Sequence, residues 1–122
     1  MAKIYLILVF LLTNSLLCAL DPWGDPVLMA GSMTVMAEVW IEDVPASAGD
    51  MVGAFVNIGG TPELRGKQVI SVIGGISGCL LQIFTQSNGE EISFRVWDES
   101  LSAEFHATQS MVSEVNAAIG KF

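Results

Sequence analysis

His106 is the only histidine of the chain, in Glu104-Phe105-His106-Ala107, beside no cysteine and no motif serine. A zinc centre or a nucleophile–base pair needs several such groups within reach of one another. A solvated or core histidine is therefore expected, and no catalytic residue is assigned. Glu90 and Glu91 point to opposite faces of a strand, so they make no ready acid/base pair. The other carboxylates suit a hard cation better. Glu42, Asp43 and Asp50 flank one loop, and Asp98 with Glu99 ends a strand. Ca²⁺ takes oxygens of this kind on loops. No run has the spacing of a continuous calcium loop, so Asp43, Asp50 and Asp98 form a metal site only if the fold gathers them. No other cofactor is expected.

Three indoles, Trp23, Trp40 and Trp97, are the candidate ligand-binding residues. Together they would make a platform that stacks on sugar rings; tryptophan serves equally as a core or interface anchor. Arg65 carries a planar fork suited to a carboxylate, with Asp50, Glu91 or Asp98 as the expected partner in a structural ion pair.

The chain of 122 residues has a formal net charge of −8. A strong negative balance argues against nucleic acid and anionic lipid surfaces, which need clustered Lys or Arg. Lys3 starts an apolar run, Ile4 to Leu12, followed by Thr13-Asn14-Ser15 and Leu16-Leu17-Cys18-Ala19-Leu20. A short basic start, an apolar stretch and a small-residue end predict a secretory signal peptide over 1–19. A spanning helix needs roughly 20 apolar residues, and the polar triplet interrupts the run first. The exported part is expected outside the cell or on its surface, with no stable membrane insertion. It keeps Cys79 alone, so no internal disulfide is available; burial among Leu80 and Leu81 is the favoured reading of that thiol.

The positioning elements read as strands. A Pro/Gly-rich arm spans 20–31, opening with Asp21-Pro22-Trp23-Gly24-Asp25-Pro26, and a β-sandwich domain spans 32–122. From Met33 onward Val35, Ala37, Val39 and Ile41 alternate with more polar neighbours through Glu42, at the period of a half-buried strand. Val44 to Asp50 breaks this as a loop. Further strands are predicted over Met51–Ile58, Glu63–Val72 with Gly66 as a bulge, Cys79–Gln86, Glu91–Asp98, Ala103–Ala107 and Met111–Val115. Asn88-Gly89 marks a hairpin between two of them. About seven to nine short strands and no helical period predict an all-β fold, a single antiparallel β-sandwich of jelly-roll or immunoglobulin-like type.

Gly49-Asp50-Met51-Val52-Gly53-Ala54-Phe55-Val56, then Glu63-Leu64-Arg65-Gly66, then Gly89-Glu90-Glu91-Ile92-Ser93-Phe94-Arg95-Val96-Trp97-Asp98 follow one another in order. With Trp23 and Ser32-Met33-Thr34-Val35 upstream, this set resembles a β-sandwich module of large exported bacterial surface proteins. The resemblance spans Trp23 to about Gly120. It implies a module that stands beside adhesion, carbohydrate-active and anchoring domains and carries no catalytic role. Read as one module behind its own leader, the chain is expected to be a free-standing structural or adhesive subunit. It would act through protein partners, as a homo-oligomer or filament. The alternative is a carbohydrate- or calcium-dependent module with a polysaccharide partner.

Overall fold

A computed structural model describes residues 21–120; the expected leader over 1–19 lies outside the described residues. Alternation decides what forms. The strand β1 (Gly31–Glu38) buries Met33, Val35 and Ala37 while the residues between them look outward. At period two one face of each such strand is apolar, and two of these faces must close on each other. The partners are β4 (Met51–Ile58), β5 (Thr61–Val69), β6 (Ser71–Ile73), β7 (Ile76–Thr85), β8 (Glu91–Asp98), β9 (Ala103–Val112) and β10 (Ala118–Ile119). The short strands β2 (Trp40–Ile41) and β3 (Val44–Pro45) pair as a separate ribbon inside the span read as a loop.

The result is all-β, a sandwich of two four-stranded sheets ordered β10-β1-β7-β6 and β5-β4-β8-β9. Every pair is antiparallel except β1 with β10, which run parallel. Met33, Val35, Leu81 and Ile83 of one sheet pack against Val52, Ala54, Val56, Ile92 and Phe94 of the other. A second cluster, Ala37, Val39, Ala46, Ile70 and Val96, fills the end beside the β2–β3 ribbon.

The span read as one strand from Glu63 to Val72 divides at Ile70, where the chain passes from one sheet to the other. Buried Ile70 donates its N–H to the Asp50 carbonyl (2.7 Å) and accepts from Gly49 N–H (3.2 Å). Ala103–Ala107 and Met111–Val115 are largely one strand, β9. Asn88-Gly89 does not make a hairpin: β7 and β8 belong to different sheets, and the turn crosses the end of the sandwich. Of the two residues only Gly89 has positive φ, at 90°. The crossing is held from outside the turn. Gly89 N–H donates to Ser113 O, Glu90 N–H to Ser113 Oγ, and Val115 N–H to Asn88 Oδ1.

Between β4 and β5 the register slips: Ala54 faces Gly66 but Phe55 faces Leu64, leaving Arg65 as the extra residue of a bulge. A bulge re-aims one side chain. Here it turns Arg65 inward, fully buried.

Candidate functional site

Arg65 is the electrostatic centre of the interior. Its Nε donates to Glu63 Oε1 (2.8 Å), and Nη1 and Nη2 form a fork onto both oxygens of Glu90 (3.1 and 2.9 Å). Nη1 also donates to the Phe84 carbonyl (3.2 Å), so the guanidinium ties β5 to the crossing before β8 and to the opposite sheet. Its partners are thus Glu90 and Glu63, not the expected Asp50, Glu91 or Asp98. Glu90 holds this position because the crossing turn presents it beneath the bulge, whereas Glu91 is exposed on β8. Burial works against the charge of Arg65, but the bonds to Glu90 and Glu63 outweigh it and raise its pKa further. Burial likewise opposes the Glu90 anion, yet Arg65 and the N–H groups of Gln86 and Ser87 hold its carboxyl below the ordinary 4.5.

The three carboxylates considered for a metal are used separately. Asp50 is buried and accepts from Ser47 N–H (2.8 Å) and Glu99 N–H (3.1 Å), which fixes the loop ahead of β4. Asp98 accepts from Ser100 Oγ and Leu101 N–H in the turn after β8. Asp43 sits at the tip of the β2–β3 ribbon with φ 65°. Among the described residues no three His, Cys, Asp or Glu gather as a metal-holding group.

The indoles divide. Trp40 is exposed on β2, while Trp23 and Trp97 adjoin Glu104 on the outer face of the sheet β5-β4-β8-β9. There Trp23 lies edge-on to Phe55, with centroids 5.6 Å apart and planes at 87°. Gly53 makes the room: a Cβ on it would stand 2.8 Å from the Trp23 ring. The indole N–H donates to Glu104 Oε1 (2.7 Å), and Arg95 stacks over the other participant, Phe55, at 4.3 Å. Lys67 binds the Asp21 carboxylate and the Gly24 carbonyl, and Val27 N–H donates to Leu64 O (2.8 Å). The arm read as Pro/Gly-rich therefore straps one outer face. Burial raises the Glu104 carboxyl, but Trp23 and Arg95 outweigh it and lower its pKa. His106 stands exposed beside it, Nε2 3.4 Å from Glu104 Oε2.

The other sheet has no such cover among the described residues. Met36 and Leu80 are cross-strand partners, as are Ile73 and Ile76, and all four are exposed, Ile73 at 78 %. They border a groove of about 590 Å³ whose wall includes Val69 of β5; of its lining residues only Glu38 is charged. Cys79 also lines it, half-buried, with its thiol pushed up to about 11 by burial. Met36 and Leu80 occupy outward positions of alternating strands yet are apolar, but only the pairing of β1 with β7 sets them side by side. Glu63, two residues before Arg65 on the same predicted strand, had a local signal in the period of two; Glu90, 25 residues away, had none. Comparison with family models, curated proteins and solved structures returns no match for this chain.

Proposed function

We propose that the chain is an exported, non-catalytic structural or adhesive subunit of the cell surface that works through protein–protein contacts, including contacts between its own copies. The support is the asymmetry of the two outer faces. One is strapped by residues 21–27, whereas the other leaves Met36, Ile73, Ile76 and Leu80 open around an almost uncharged groove. Contiguous exposed apolar surface of this kind marks interaction sites in soluble domains. The net charge of −8 does not oppose association at such a face. Exposed charges are screened beyond about 8 Å at physiological salt, and Glu38 alone lies in the groove lining. The polar clusters have structural employment: Arg65 with Glu90 and Glu63, Asp50 with its loop, Glu104 with the arm. The apolar run Ile4 to Leu12 behind Lys3 supports export.

Sedimentation velocity tests the reading. The protein should associate with rising concentration, and Ile73→Glu with Leu80→Glu should abolish that association while leaving the circular dichroism spectrum intact. A strict monomer at every concentration would overturn it in favour of a polysaccharide-binding module, for which exposed Trp40 is the one specific support.

A further inference from the structure

The outer face of the sheet β5-β4-β8-β9 is built as a receptor, and its present occupant is a segment that belongs to neither sheet. We infer that this face is a peptide-binding slot for the segment Asp21–Val27, and that it takes that segment from a second copy of the chain as well as from its own. The inference rests on the self-association proposed above but uses the opposite face.

Five features make the slot specific. Gly53 leaves a recess that any Cβ would close against the Trp23 ring. Phe55 forms one wall, itself backed by Arg95. Glu104 accepts the indole N–H, and Leu64 O accepts the main chain at Val27. Lys67 takes the acidic end at Asp21. Charge complements the segment: Lys67 and Arg95 both face the slot, and Arg65, the remaining cation among the described residues, is buried elsewhere. Two of the three described cations, Lys67 and Arg95, with Glu104 beside Arg95, thus meet a segment carrying Asp21 and Asp25 and no cation.

The segment is also separable. It forms no strand, and the residues that follow it enter β1 in the other sheet through Leu28, which is 73 % exposed. Releasing it breaks one main-chain hydrogen bond, Val27 N–H to Leu64 O, and uncovers Phe55, but takes no residue from either core cluster. Exchange of an identical element between copies is a low-cost route to association. Within one chain the slot sees its own arm at an effective concentration on the order of millimolar, so exchange shows only when that internal match is broken.

Two full-length variants break it in complementary ways. Trp23→Ala keeps an open slot but a defective arm; Gly53→Val keeps the arm but blocks the slot. Both carry Leu80→Glu and Ile73→Glu, so that association through the open face does not contribute. Each alone should be monomeric by native mass spectrometry, and their mixture should yield a heterodimer. A mixture that stays monomeric, with both variants folded, overturns the inference and leaves the open-face reading standing. Should Gly53→Val not fold, a labelled peptide of residues 21–28 titrated into the Trp23→Ala variant reads the same slot by fluorescence polarisation. Saturable binding, lost for a scrambled peptide, supports the inference. No binding, or equal binding of the scramble, overturns it.

Discussion

At the scale of single residues the energetics concentrate on Arg65. A guanidinium fully out of water is tolerable only because each face of its fork has a fixed acceptor: two carboxylates and the Phe84 carbonyl. Lysine at this position keeps the charge but cannot span both Glu90 oxygens and the carbonyl together. Arg65→Lys should cost about 2 kcal/mol, judged from hydrogen bonds to charged groups. In a domain of this size the melting temperature should fall by roughly 10 °C in a calorimetric scan. Thr85 is the opposite case. Its hydroxyl is buried with no hydrogen-bond partner among the described residues, so it bears a desolvation cost without return. Thr85→Val, of nearly the same shape, should stabilise by about 1 kcal/mol, read as a higher urea midpoint at unchanged slope.

At the scale of elements the sandwich closes where β5 passes close to β7. A Cβ on Gly66 would lie 2.1 Å from the Gln82 carbonyl oxygen, a backbone atom that cannot swing aside. Gly66→Ala should therefore force the two sheets apart at that edge and cost about 3 kcal/mol or more. Chemical denaturation measures it directly, and a variant as stable as the parent would show that the edge is slack. The same edge explains the bulge. The slip between Ala54 and Phe55 brings Gly66 to the narrow point and turns Arg65 inward at once. Two needs of the closure are met by one irregularity.

At the scale of the molecule, acid should act through Glu90 and Glu104. Both carboxyls lie below the ordinary 4.5 when folded. Below that value the unfolded chain binds more protons than the folded one, so stability rises with pH in that range. The contribution is complete above the ordinary value and is lost as pH falls through the lowered folded pKa values. Thermal melts between neutral pH and pH 3 should show the melting temperature falling below about pH 4.5, with a shallower fall in Glu90→Gln. A parallel slope in that variant would mean that Glu90 is not among the responsible groups.

Much of the layered fold was legible in residue order, because alternation is a local property. Met33, Val35 and Ala37 are buried as their spacing required, and Ile92, Phe94 and Val96 face inward while Ser93, Arg95 and Trp97 face out. That much followed from residue type and place. Pairing did not. Asn88-Gly89 carries every local mark of a hairpin, yet which strands lie side by side depends on partners dozens of residues away, here β1 for β7 and β4 for β8. The choice of Glu90 for Arg65, the arm folded over Phe55, and the open face around Leu80 share that origin. Each is a contact between distant segments, and side-chain period carries no information about distance across a fold.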